Sequence, residues 1–277
     1  MGLKSVVKDK IRSQEKFRQF IFNKTKVVDA IYMFAYTYMV ENKFLQSIIK
    51  GKTIEVLDGP FKGMKYASAR ATGSALGLKL CGIYEEELLP VIAEIMEGGY
   101  KKILDIGSAE GYYAVGLARV ISDVKVDAYD IDPYARELLH QMCEINGVSD
   151  RVAINGWCTK EVLRQHDYTD KTLIISDCEG YEKELFDEDS AEFLSQTDIL
   201  IEVHDNLDTE NRPIFEQIKR AFSKTHDIEV IYSMKRFEKV AKHYNEELFK
   251  NTLTDRELEV FMDEREWNMV WVWMKGK

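Results

Sequence analysis

Glycines and carboxylates carry most of the chemistry in this sequence. The run ILDIGSAEGYYAVGLA sets Asp105 ahead of Gly107, Ser108 and Gly111, with Glu110 inside the loop and Tyr112 where a helix would begin. A strand ending at Ile106, a turn and then a helix would aim backbone N–H groups and a helix N-terminus at whatever lies above the strand end. Tight strand-to-helix turns need glycine on steric grounds alone, so the glycines do not name a ligand. The charges narrow it. The loop has no Lys-Ser or Lys-Thr ending, its spacing is GxxxG rather than GxGxxG, and Asp105 and Glu110 would repel a pyrophosphate. A ligand with an ammonium and a sulfonium would be welcome there. Asp130, followed by Ile131, closes the next apolar run 23 positions after Gly107, where a carboxylate can accept from both hydroxyls of a ribose. An adenosyl ribose with a cationic tail, S-adenosylmethionine (SAM), satisfies all of these features.

A second group of residues suits proton transfer. Asp177 closes the run TLIISD and Glu179 follows two positions on, before Gly180. In DILIEVH, Glu202 and His204 fall on one face by the period-two alternation of a strand. His204 is the preferred general base, because an ordinary imidazole titrates near ~6.5 and takes a hydroxyl proton without an extreme shift; Asp177 or Glu202 would orient it. The plainer reading is a structural Glu202–His204 pair. His140, His166, His226 and His243 show no comparable carboxylate company and read as surface or packing residues.

Five short apolar runs, KKILDI (101–106), VKVDAYD (124–130), RVAIN (151–155), TLIISD (172–177) and DILIEVH (198–204), alternate with segments of helical period. That alternation predicts right-handed crossovers and a doubly wound, Rossmann-like parallel sheet covered on both faces. IEVIYSM (228–234) and NMVWVWMKG (268–276) flank a charged helical insertion over about 235–266, which predicts an antiparallel last strand. Ahead of the sheet, KTIEVLDGPFKGMKYAS reads as a hairpin, a loop holds Arg70, Gly73 and Gly77, and a helix starts near Tyr84. The division expected is an N-terminal helical and hairpin extension over 1–80 and a catalytic domain over 81–277.

LDIGSAEG, AYDIDP and the strand-end Asp177 together resemble the class I SAM-dependent methyltransferase pattern over roughly residues 84 to 277. GIYEEEL, DCEGYE and IEVHD resemble FkbM-type bacterial O-methyltransferases within it. The resemblance implies a seven-stranded sheet with an antiparallel last strand, Asp105, Gly107, Ser108 and Gly111 around the methionine and ribose, and Asp130 on the ribose hydroxyls. Where many class I enzymes place an acidic residue toward the adenine amino group, NGWC puts Trp157, which either covers the adenine or is a core tryptophan. Tyr112 is open in the same way, between pocket and core. Asp177, Asp205 and Asn206 resemble the magnesium site of catechol-type enzymes, where a divalent ion would lower a hydroxyl's pKa. Asp205-Asn206-Leu207-Asp208 also reads as a turn into a helix, and the metal is not favoured.

The function expected is SAM-dependent methylation, in the first place of a hydroxyl on a small molecule or sugar. The alternatives are N- or C-methylation, a SAM-binding interaction subunit without catalysis, and, less favoured, an NAD-dependent oxidoreductase. A net charge of −10 and 45% hydrophobic residues describe an acidic globular chain, for which no nucleic-acid partner is expected. Four cysteines without CxxC spacing fit reduced thiols in a cytoplasmic protein. Residues 1–28 hold eight Lys or Arg against Asp9 and Glu15. A basic helix there would offer peripheral membrane or homo-oligomer contact. IYMFAYTYMV (31–40) is too short to span a bilayer and reads as a buried helix, with an interfacial or dimer-forming helix as the alternative. Were the chain an interaction subunit, the basic helix and the 31–40 segment would be its contact surface, and a truncated core should bind SAM yet lose its partner.

Overall fold

The computed structural model describes residues 32–51, 53–71, 75–205, 213–263 and 270–277. The basic segment 1–28, Gly73, Asn206 to Asp208 and the end of the insertion lie outside the described residues.

In chain order, α1 covers residues 32–49, and β1 (Ile54–Glu55) and β2 (Lys65–Tyr66) form the expected hairpin. Then come α2 (Leu76–Cys81), a 3-10 turn (Glu86–Leu88) and α3 (Leu89–Glu97). The crossovers follow as β3 (Lys102–Ile106), α4 (Tyr112–Val120), β4 (Lys125–Tyr129), α5 (Pro133–Asn146), β5 (Val152–Asn155), α6 (Lys160–Gln165) and β6 (Thr172–Ser176). Next are α7 (Glu182–Leu185), α8 (Glu188–Phe193), β7 (Asp198–Val203), α9 (Pro213–Phe222) and β8 (His226–Tyr232). The insertion folds as α10 (Arg236–His243), α11 (Glu247–Lys250) and α12 (Asp255–Phe261), and β9 (Val270–Gly276) completes the sheet.

The sheet has seven strands in the order β5-β4-β3-β6-β7-β9-β8, parallel except for β9, which runs antiparallel to both neighbours. This is a doubly wound, Rossmann-like sheet with helices on both faces. The last strand is antiparallel, as expected; it sits between β7 and β8, leaving β8 at the edge. Alternation sorts the core into two layers: Ile103, Val126 and Ile175 pack with α3, α4 and α5, while Leu104, Ile174 and Ile201 pack with α6 to α9. Strand order reverses between β3 and β6, the switch point where such sheets open a crevice at their carboxyl ends.

Four local expectations change. Residues near Arg70 do not form one loop, because Leu76–Cys81 is a helix with Gly77 against the Phe261 ring. The helix expected at Tyr84 begins as a 3-10 turn and becomes α-helical at Leu89, where Pro90 fits the first turn. The segment of helical period YEKELFDEDSAEFL, between the fourth and fifth apolar runs, is two helices and not one, because Asp187 and Ser190 form a capping box that starts α8. The 31–40 stretch is helical over its described part but not buried: Phe34 is 78% exposed, and burial starts at Val40. Beyond it Phe44 stacks on Phe249 and packs against the tilted ring of Phe261, joining α1 to the insertion.

Candidate active site

The glycine loop is built from backbone contacts. Gly107 has φ +85, and a Cβ on it would lie 1.7 Å from the carbonyl oxygen of Asp177, so the exits of β3 and β6 touch there and no side chain fits. The Gly107 and Ser108 N–H groups donate to the Tyr129 carbonyl at 2.8 and 3.0 Å. Asp130 ties the loop down: Oδ2 accepts from Ala109 N–H and Oδ1 from Asp132 N–H, both at 2.8 Å. Each oxygen keeps a further lone pair for a hydroxyl. Gly111 opens α4 at φ +95, and a Cβ there would meet Leu139 Cδ1 at 2.3 Å; it shapes the turn and is not a cavity wall.

Above the switch point lies a cavity of about 550 Å³, within the size range of small-ligand sites. Asp105, Gly107, Ser108, Tyr112, Asp130, Ile131, Trp157, Asp177 and Glu179 all line it. Asp105 is buried, and burial pushes its carboxyl up to about 7. Its Oδ2, like the Ser108 hydroxyl, has no hydrogen-bond partner among the described residues. Burial also raises Asp177 to about 6, against the opposing pull of His204. Trp157 is 62% exposed, with its ring 5.7 Å from that of Tyr181, so it is not a core tryptophan. Tyr112 serves pocket and core together, buried edge-on to Phe61 and Tyr84 while lining the cavity.

At the β6–β7 flank, His204 Nε2 lies 3.5 Å from Asp177 Oδ1, 3.6 Å from Glu179 Oε2 and 3.8 Å from Glu202 Oε2. The residue that orients the ring is a fourth carboxylate: Glu182 Oε1 meets Nδ1 at 2.9 Å. Sequence reasoning assigned that task to Asp177 or Glu202. Glu182 opens α7 directly after the Gly180 turn, and its place in the acidic DCEGYE run was the available signal. Burial works against a charged imidazole, but the Glu182 bond and the surrounding carboxylates outweigh it and raise the His204 pKa. Glu182 is correspondingly lowered, its burial overcome by His204.

Of the metal set Asp177, Asp205 and Asn206, Asn206 lies outside the described residues and Asp205 is engaged elsewhere. Both Asp205 oxygens accept from backbone N–H groups of α9, Ile214 at 2.8 Å and Phe215 at 3.0 Å, a helix cap that turns the carboxylate away from metal duty. Asp177, Glu179 and His204 instead bring ligand atoms within 4.8 Å of one another, a set suited to a divalent ion. His243 also departs from expectation. It is buried with carboxylates on both ring nitrogens, Glu246 at 2.6 Å and Glu86 at 2.9 Å, and so fastens α10 to the 3-10 turn.

No family model matches the sequence. The chain is 34% identical over 116 residues to a ribosomal protein L11 methyltransferase of Trichlorobacter lovleyi, covering 42% of this chain and 33% of that protein. It is 36% identical over 70 residues to a release factor glutamine methyltransferase of Dictyoglomus turgidum, covering 24% and 25% respectively. The chain thus matches a third or less of the length of these curated relatives. Among solved structures, an O-methyltransferase from Bacillus cereus in complex with SAH superposes with a TM-score of 0.44 at 14% identity, covering 69% of this chain and 80% of that one. The O-methyltransferase TomG from Streptomyces achromogenes in complex with SAM gives 0.42 at 12%, covering 69% and 79%.

Proposed function

We propose that this chain is a SAM-dependent methyltransferase acting on a hydroxyl of a small molecule or sugar. The observation that carries the donor assignment is the charge of the switch-point cavity. Asp105, Asp130, Asp177 and Glu179 line it, four carboxylates against a single lining cation, Lys79. A dinucleotide pyrophosphate would meet these acids, whereas a sulfonium and an ammonium are attracted by them. The donor's parts find matching groups: Asp130 offers lone pairs to ribose hydroxyls, Asp105 a bare carboxylate oxygen to an ammonium, and Trp157 a flat exposed face to adenine.

When bound, SAM supplies a methyl group on a cationic sulfur, and the transfer is an in-line displacement in which positioning provides much of the rate. The protein's remaining task is the acceptor's proton. His204 Nε2 faces the cavity-lining Asp177 and Glu179, while its Nδ1 is held by Glu182. With Nδ1 protonated toward Glu182, Nε2 has a lone pair to take a hydroxyl proton, and the carboxylates stabilise the imidazolium that results. This base favours an oxygen acceptor over an amine. The curated relatives are named for protein acceptors, so an acceptor screen should include peptide amides and amines beside sugars and phenols.

The test is calorimetric titration of the purified chain with S-adenosylhomocysteine and with NAD, followed by labelled methyl transfer to that screen. Micromolar binding of S-adenosylhomocysteine, none of NAD, and label on a hydroxyl are expected. Preference for NAD would overturn the donor assignment, and label on nitrogen or carbon alone would overturn the acceptor assignment.

A further inference from the structure

The charged walls of the cavity are acidic with one exception. Lys79, on α2, is 3% exposed. Its Nζ donates to Glu110 Oε1 at 2.6 Å and stands 4.8 and 5.2 Å from the ring centroids of Tyr84 and Tyr112. Burying an ammonium is unfavourable unless it is paired. Glu110 takes one of its three N–H donors, and the tyrosine faces hold the head in place through cation–π attraction. The lysine charge is felt by both Asp105 and Asp177, where it opposes the upward push of burial. Asp105 meanwhile presents Oδ2 with no hydrogen-bond partner among the described residues. A fixed cation and an incompletely bonded carboxylate in one pocket complement an α-amino acid zwitterion, ammonium to carboxylate and carboxylate to ammonium.

We infer that Lys79 anchors the carboxylate of the donor's methionine portion while Asp105 takes its ammonium, so that a residue of the N-terminal extension completes the cofactor site. The inference rests on the reading of this pocket as a SAM site. A core beginning at residue 81 would lack the anchor and lose much of its affinity for the donor.

The experiment compares two ligands on the intact chain by calorimetry: S-adenosylhomocysteine, and its decarboxylated counterpart S-adenosyl-3-thiopropylamine, which keeps the ammonium. The wild type should prefer the first by about 10- to 100-fold, the range for one charge-assisted hydrogen bond in a desolvated site. The double variant Lys79→Met/Glu110→Gln removes both charges of the buried pair, so neither is stranded. Its preference should shrink to within about threefold, with affinity for the decarboxylated ligand kept. Equal binding of the two ligands by the wild type overturns the anchor however the variant folds. So does a full preference surviving in the folded variant. Failure of the wild type to bind either ligand overturns the cofactor reading itself, and the anchor with it.

Discussion

The two flanks of the sheet's carboxyl edge are held by different means. On the β3–β4 flank, backbone amides and one aspartate fix the shape: Gly107 and Ser108 bond to Tyr129, and Asp130 clasps two amides. On the β6–β7 flank, four carboxylates from residues 177, 179, 182 and 202 surround one imidazole, and among them only Glu182 reaches bonding distance. One flank is a rigid mould and the other a poised charge. The mould should break abruptly when its sterics change. The charge should respond by degrees, to pH and to each carboxylate in turn.

The largest effect is expected at Gly107→Ala. Its Cβ would enter the Asp177 carbonyl, and alanine at a positive φ is itself strained. Destabilisation of about 3 kcal/mol or more and loss of S-adenosylhomocysteine binding should appear in denaturant melts and calorimetry. Next is His204→Gln, which should lower turnover by about 10²- to 10⁴-fold, the usual share of a general base, while cofactor affinity stays within about twofold. Unchanged turnover at neutral pH would remove the base assignment. Asp130→Asn should weaken S-adenosylhomocysteine binding by about 10- to 100-fold, through the ribose and through the loosened loop together. Wild-type affinity would show that the mould does not depend on its aspartate.

Two smaller responses sharpen the contrast. Because His204 is raised and acts unprotonated, the rate should climb with pH through a value above the ordinary ~6.5, and Glu182→Gln should move that limb to lower pH. A limb unmoved by the substitution would dissociate Glu182 from the base. Chelator treatment should leave turnover unchanged if His204 is the base. A loss restored by added magnesium would assign Asp177, Glu179 and His204 to a metal instead.

The difference between the flanks also explains what the sequence disclosed. The strand ending at Ile106, the turn at Gly107 and the strand that stops just before Asp130 are local patterns, and each is found where expected. Glu182 and Lys79 were harder to place, because their partners lie 22 and 31 residues away. No periodicity encodes such meetings. His243 looked ordinary because its partner Glu86 is 157 residues distant. Asp205 looked like a ligand because a strand-exit aspartate is the same residue whether it caps a helix or holds an ion.

The placement of β9 bears on the order in which the molecule is assembled. In β3 and β4, Ile103 pairs with Val126 across 23 residues, whereas in β7 and β9, Ile199 pairs with Met274 across 75. β8 leaves the ribosome before β9 but joins the sheet only through it. Long loops close more slowly than short ones, and until this one closes the outer edge of β7 has no strand beside it. The strand that delivers Glu202 and leads into His204 is held on its inner side by β6, Ile174 to Ile199 across 25 residues, so it is the outer side of this strand alone that waits for β9.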